Sequence, residues 1–378
     1  MSIIIGADIV PTESNRALFA AGNVEKLIGL ELSAVLKSTD YRIFNLEVPL
    51  VDQARPIAKY GPNLIAPTES VNGLKTIGID LLTLANNHIM DQGIEGLKST
   101  VRTLDQASIS HVGTGDHLSE TAEPYFFTLK GKRYGVYACA EHEFSIAGKK
   151  TPGANPFDPL ESPDQVAQMK AQCDYAIVLY HGGKEYYRYP SPKLQKTCRK
   201  LVEKGADLVI CQHSHCIGCE EKYLAGTIVY GQGNFLFDDG DDEFWNTSLL
   251  VRIKDDGQID YVPLKKQGSC VRLAAATDAQ TILQAFKQRS EDIQRPDFIQ
   301  EKYSEFAQEY ICEYILYFLD LERNIFYRAL NKLSGQRLRK VIVKRAIKKR
   351  GLGMRNYIEC EAHWELFLRG IGCNDRII

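Results

Sequence analysis

Five places along the chain set a carboxylate, an amide or an imidazole directly after a short apolar run. They are Asp8; Asn45 with Glu47; Asn86, Asn87 and His88 with Asp91; His181 with Glu185; and His213 with His215. Four of the chain's eight histidines fall here, and imidazole mixed with carboxylate and amide oxygen suits borderline divalent ions such as manganese, iron or zinc. Asp8, Glu47, Asn87, His181, His213 and His215 are therefore the candidate ligands. Taken singly, each has an ordinary explanation: Asp8 as a helix cap, Asn86-Asn87 as a turn, a lone histidine as a hydrogen-bonded core residue. Unrelated caps and turns have no reason to recur at successive strand ends, and that recurrence favours a site. In His213-Ser214-His215, alternate residues of an extended strand end point to one side, which predicts that both imidazoles reach one ion or two neighbouring ions.

The elements that must position these residues are legible as β-rich runs at 2–9, 41–46, 80–85, 176–180, 207–211 and 227–230, with helical patterns between several of them. Such alternation predicts a layered α/β sheet, in which loops at the carboxyl ends of the strands converge on a ligand. Helices are expected at 93–107, where Leu97, Val101 and Leu104 share a face, and at 191–204, closed by Gly205. Two hairpins follow from turn signals at Lys130-Gly131 and Asp255-Asp256-Gly257. Strand signals stop near 275, so the chain is expected to divide into 1–275, which holds every motif and should keep the site when cut there, and a helical region 276–378.

The formal charge of −2 over 378 residues gives no overall pull toward nucleic acid, and none is expected as a specific partner. The first residues lack a basic lead, a long apolar stretch and a cleavage site, and the apolar run Tyr314 to Leu319 is far short of a membrane span. A cytoplasmic protein is the expectation. The ten cysteines are scattered without a disulfide framework. Cys216-Ile-Gly-Cys219 matches half of a zinc ribbon, but no second such pair exists, so buried thiols are expected there. A nucleotide-dependent ligase is disfavoured because no Gly-x-x-x-x-Gly-Lys-Ser/Thr loop occurs.

In order and spacing the motifs resemble the poly-gamma-glutamate capsule-synthesis family, CapA-like, which is related to the calcineurin-like metallophosphoesterases. The resemblance is carried by Gly6-Ala-Asp8, Asn45-Leu-Glu47-Val-Pro49, Leu84-Ala-Asn-Asn-His88 with Asp91-Gln-Gly93, Gly113-Thr-Gly115, His181-Gly-Gly-Lys-Glu185, the run from Gly205 to His215, and Tyr230-Gly-Gln-Gly-Asn-Phe235. It implies a metallophosphoesterase-like β-sandwich flanked by helices, and two divalent ions bridged by Glu47. Asp8 and His215 would hold one ion and Asn87, His181 and His213 the other, while His88 would protonate the leaving group. Two cations roughly 3.5 to 4 Å apart clamp the attacking and leaving oxygens of such a reaction. The chain departs from the phosphoesterase pattern at Val10, where a histidine is usual, at Glu47, where an aspartate is usual, and at Gln212, where a glycine is common.

The resemblance implies a metal-dependent hydrolase in surface-polymer metabolism, acting on an anionic polymer or a phosphoester. The alternative is a non-catalytic metal-binding assembly component, which the residue at Val10 allows. Asn45, Lys59, Asn86, Glu185 and Asn234 are candidate substrate contacts, and Tyr60, Asn63, Lys184, Tyr187 and Arg188 lie near the same loops. The stretch Arg337 to Arg350 mixes cations with Leu338, Ile342 and Ile347, a pattern for peripheral contact with a membrane or a protein, or for a solvated face packed on the domain. The aromatic series from Tyr310 to Tyr327 reads as core filling or self-association.

Overall fold

The computed structural model describes residues 2–238, 240 and 242–371. Two compact units result, 1–296 and 297–378.

The first unit is built on two sheets flanked by helices, the layered α/β sandwich that the alternation of strands and helices demands. In the first sheet β1 (Ser2–Val10), β2 (Tyr41–Leu46), β3 (Leu81–Thr83) and β4 (Ser110–Val112) run parallel. The second sheet opens with the hairpin β5 (Tyr125–Leu129) and β6 (Lys132–Ala140) and continues through β7 (Tyr175–His181), β8 (Leu208–Gln212), β9 (Glu220–Tyr223) and β10 (Gly226–Tyr230), in the order β9-β10-β8-β7-β6-β5. The chain then returns to the first sheet on the edge of β1 away from β2: β11 (Asn234–Phe237) pairs parallel with the end of β1, and β12 (Thr247–Lys254) pairs antiparallel with its start and is extended antiparallel by β13 (Ile259–Gln267) and β14 (Cys270–Leu273). Ile3, Ile4, Ile5, Ile43, Phe44, Val136, Ile177, Leu179, Leu208 and Ile210 belong to one continuous core, which explains why these strands read as unbroken apolar runs rather than alternating ones.

The central strand β1 is bent where the chemistry begins. Its register with β2 slips between Ile5 and Asp8, one extra residue on β1 that turns Asp8 toward the strand ends. Gly6 sits inside this bulge because a Cβ there would lie 2.0 Å from the Phe44 ring. Gln212 Nε2 donates to Gly6 O at 3.1 Å, and Gln232 Nε2 donates to Ile5 O at 2.9 Å. The position that is often glycine thus ties the second sheet to the bulge of the first.

The boundary expected near 275 falls instead after Pro296. Strands do end at Leu273, but helix α1 (Ala276–Asp292) belongs to the first unit because its apolar face completes a small core. Phe286 is buried against Leu249 and Ile217 and packs at a tilt on Tyr261, with ring centroids 4.6 Å apart and planes 60° from parallel. Ser290 Oγ accepts from Glu220 N at 2.8 Å, and Arg289 Nε donates to Gly218 O at 2.7 Å. The helix therefore braces the loop that follows His215. Within the second unit a smaller core gathers Ile315, Leu316, Tyr327 and Val343.

Phe286→Ala is expected to cost about 3 kcal/mol of stability, the usual loss for emptying a buried aromatic site. Urea unfolding checks this. A chain ending at 275 is expected to unfold at still lower urea, while one ending at 296 keeps the stability of its unit.

Candidate metal centre

Strand ends from both sheets and the loops beyond them bring the candidate ligands to one place. Asp8, Glu47, Asn87, His181, His213 and His215 are all buried. Glu47, His213 and His215 each offer a ligand atom within 4.8 Å of the others, close enough to share one ion. His181 Nε2 lies 3.0 Å from Asn87 Oδ1 and 3.2 Å from Glu47 Oε1, and the first contact takes its N–H. The rings of His181 and His213 stand 4.9 Å apart and those of His213 and His215 5.9 Å.

The two imidazoles of His213 and His215 converge by a different route from the one expected. Strand β8 stops at Gln212, and both histidines lie beyond it in left-handed backbone, with φ of 80° and 52°. Residues other than glycine pay roughly 1 kcal/mol or more to sit there, a strain that concentrates at functional sites. The geometry aims both side chains inward without strand alternation.

Electrostatics set the character of the pocket. Asp8 Oδ2, both Glu47 carboxylate oxygens and His213 Nδ1 are buried with no hydrogen-bond partner among the described residues. Burial pushes Asp8 up to about 6, with the neighbouring Glu47 charge adding to it. Glu47 moves the other way: burial opposes its charge, but His181, His215 and His88 together hold it below the usual carboxylate range. His181 is raised, since the attraction of Glu47 and Asp8 outweighs its burial. His213 is held well below the ordinary histidine range by burial and then by His181 and His215, which favours a neutral ring with a free nitrogen lone pair.

The amides support rather than line the pocket. Asn45 Nδ2 donates to Asp8 Oδ1 at 2.8 Å, and its Oδ1 accepts from Thr83 Oγ1 at 3.1 Å and Asn86 Nδ2 at 3.2 Å. Asn86 also donates to Leu46 O at 2.8 Å and accepts from His88 N at 3.1 Å. Asn45 and Asn86, expected as substrate contacts, are fully buried and hold the loops together from below. Asn234, expected likewise, has Oδ1 2.9 Å from His215 Nδ1, so it orients that ring and leaves Nε2 for the pocket. Glu185 is half-buried on the loop after β7.

Lys59 also differs from its expected role. Its side chain is 2% exposed, and its ammonium lies 2.5 Å from Asp91 Oδ1 and 3.3 Å from His88 Nδ1. Asp91, fully buried, accepts from Leu64 N at 2.6 Å and sits 2.6 Å from His88 Nδ1 through Oδ2. That contact makes Nδ1 the donor nitrogen and leaves Nε2 of His88 for a neighbour. Lys59 thus balances the Asp91 charge beside His88.

Two further residues escaped the sequence reading. Glu143, at the solvent edge, accepts from Asn87 Nδ2 at 3.3 Å and reaches within 3.8 Å of His213 Nε2. It follows the apolar strand β6, so the rule that found the other loops also points to it. Trp245 is buried and stacks on His215, with centroids 5.0 Å apart and planes 17° from parallel; nothing in its sequence context signals this. Val10 lies in the hydrophobic core and offers no donor. Cys216 and Cys219 are buried as expected, and burial raises both thiols, Cys216 to about 11.

Fold and pocket together define a layered α/β domain with a buried site of carboxylate, amide and imidazole donors at its strand ends. Residues 8–239 match the family described as bacterial capsule synthesis protein PGA_cap, and the chain belongs to that family. It is 30% identical over 260 residues to the capsule biosynthesis protein CapA of Bacillus anthracis, covering 65% of this chain and 63% of that protein. It is also 30% identical over 242 residues to the PGA biosynthesis protein CapA of Bacillus subtilis, covering 62% of this chain and 60% of that one. The matched stretches thus span less than two thirds of either relative. Among solved structures, a hypothetical protein from Thermus thermophilus aligns with a TM-score of 0.47 at 12% identity, covering 71% of this chain and 100% of its own. A putative 5'-nucleotidase from Staphylococcus aureus aligns with a TM-score of 0.42 at 15% identity, covering 75% of this chain and 57% of its own. These are partial overlaps of fold.

Lys59→Met is expected to destabilise the chain by about 3 kcal/mol, because it strands a buried carboxylate without its cation. Lys59→Arg should recover part of the loss. Denaturant midpoints of the three proteins check this; an unchanged midpoint for Lys59→Met would mean the pair contributes nothing net.

Proposed function

We propose that the chain is a divalent-metal-dependent hydrolase of the capsule-polymer family, cleaving a phosphoester, amide or related bond in an anionic surface polymer or its precursor. The observation that carries this is the set of orphaned buried acceptors on Asp8, Glu47 and His213, grouped with His181 and His215. A donor set of this kind fits manganese, iron or zinc better than any arrangement of the protein's own groups satisfies it. Asp8, Glu47, Asn87, His181, His213 and His215 would hold one or two such ions, with Glu47, His213 and His215 near enough to share one. When bound, such ions supply Lewis-acid polarisation of the scissile group and activation of water.

The residues of the chain supply the rest. His88 borders the pocket, since its charge acts on both Glu47 and His213. Asp91 fixes the ring through Nδ1, so Nε2 is the atom positioned to give a proton to a departing oxygen. Lys59 pairs with Asp91 and holds it in place beneath the ring. Asn234 and Trp245 lock the His215 ring. The second reading, a metal-binding assembly component without turnover, is favoured by one observation, the apolar burial of Val10 where the phosphoesterase pattern has a histidine.

His88→Ala is expected to lower turnover by about 10²- to 10⁴-fold, the range for loss of a general acid, with metal content unchanged. His213→Ala is expected to lower metal content and turnover together. The check is paired metal analysis and rates on phosphoester and polyglutamate substrates with added manganese. Loss of metal in His88→Ala would remove it from the proton-donor role, and full metal content with no turnover on any substrate would favour the assembly component.

A further inference from the structure

The second unit carries a surface that the site does not use. It contains helices α2 (Phe298–Phe318), α3 (Ile325–Leu333), α4 (Arg337–Glu359) and α5 (Glu361–Gly370). From Arg337 to Ile358 the chain has nine cations and no acid. One stripe of α4, with Leu338, Ile342, Val343, Ala346 and Met354, packs into the unit's small core. Helical spacing places Val341, Lys344, Arg345, Lys348, Leu352 and Arg355 together on the opposite face. Val341 is 62% and Leu352 86% exposed. Arg339 pairs with Glu313 at 3.7 Å and Arg355 with Glu359 at 2.8 Å, whereas Lys344, Arg345 and Lys348 are exposed and make no ion pair among the described residues. On α3, Phe326, Leu330 and Leu333 form a second exposed apolar stripe at spacings of four and three, with Phe326 79% and Leu333 84% exposed.

We propose that residues 297–371 dock on an anionic lipid surface, with the outward face of α4 as the contact. Charge complementarity selects this occupant. An anionic bilayer interface accepts both features at once, drawing the cations to its headgroups while Val341 and Leu352 enter the acyl boundary. A second copy of the chain would cover the apolar residues but oppose cation to cation. A polyanion would pair the cations and leave Val341 and Leu352 in water. No described helix is long and apolar enough to cross a membrane, so the contact lies on the surface.

The full chain is mixed with vesicles of phosphatidylcholine alone, or with about one third phosphatidylglycerol, in about 0.1 M salt and again in about 0.5 M salt. Sedimentation with the anionic vesicles, release by the higher salt and no binding to the neutral ones is the expected result. At roughly fivefold per cation, Lys344→Gln, Arg345→Gln and Lys348→Gln together should weaken binding about 10²-fold. Leu352→Ser should weaken it separately, with the unfolding midpoint of the chain unchanged for both. Equal binding of the triple variant, or no binding to anionic vesicles, overturns the proposal. Capture of poly-glutamate without vesicle binding would assign the cations to a polymer, and a dimer dissociated by Leu352→Ser without vesicle binding would assign the face to a second copy; either result overturns it.

Discussion

Two carboxylates buried within one pocket, Asp8 and Glu47, are the constraint around which the first unit is arranged. Ionised groups removed from water cost several kcal/mol each unless matched, and here the matching is incomplete. Three imidazoles offset part of the charge, and one amide donates to Asp8, but both oxygens of Glu47 and one of Asp8 stay without a donor. One consequence is visible in the opposite movement of the two acids, with Asp8 driven toward protonation and Glu47 kept ionised by the histidines around it. A divalent cation held by these donors, as proposed, would relieve that mismatch in a single step.

Much of the surrounding architecture exists to hold these groups in place against their own cost. The bulge in β1 that presents Asp8 is pinned by Gln212 from the other sheet and by Gln232 from the loop before β11. The strained backbone at His213 and His215 is braced by a stacked tryptophan and, through Gly218, by a helix from beyond the last strand. The Lys59–Asp91–His88 triad is a second buried charge system beside the first, in which Asp91 engages both the Lys59 ammonium and Nδ1 of His88. Stability is given up at the pocket and recovered in the apolar layers on either side.

The strands and helices that carry the site were legible because each ends in a polar residue after an unbroken apolar run, and a doubly covered strand has no other way to read. Six donors could be named from that pattern alone. Their arrangement could not. The roles of Lys59, Asn45 and Asn86 depend on which loops fold over which, and nothing local in the sequence says that a lysine will turn inward to an aspartate 32 residues away. The pairing of His213 with His215 was read from strand alternation, yet it rests on two left-handed residues beyond the strand. The helix at 276–292 looked like the start of the helical region because its composition is helical; its membership in the first unit is a matter of Phe286 finding Leu249, a contact at long range.

The central claim is that Glu47 holds the ion. The most direct measurement is elemental analysis of the purified full chain and of Glu47→Gln, each followed by thermal unfolding with and without added manganese. The account predicts at least one divalent transition metal per wild-type chain and a rise in Tm on adding manganese, both lost in Glu47→Gln while the chain still folds. A wild-type chain free of metal whose Tm does not respond to manganese, zinc or iron would contradict it.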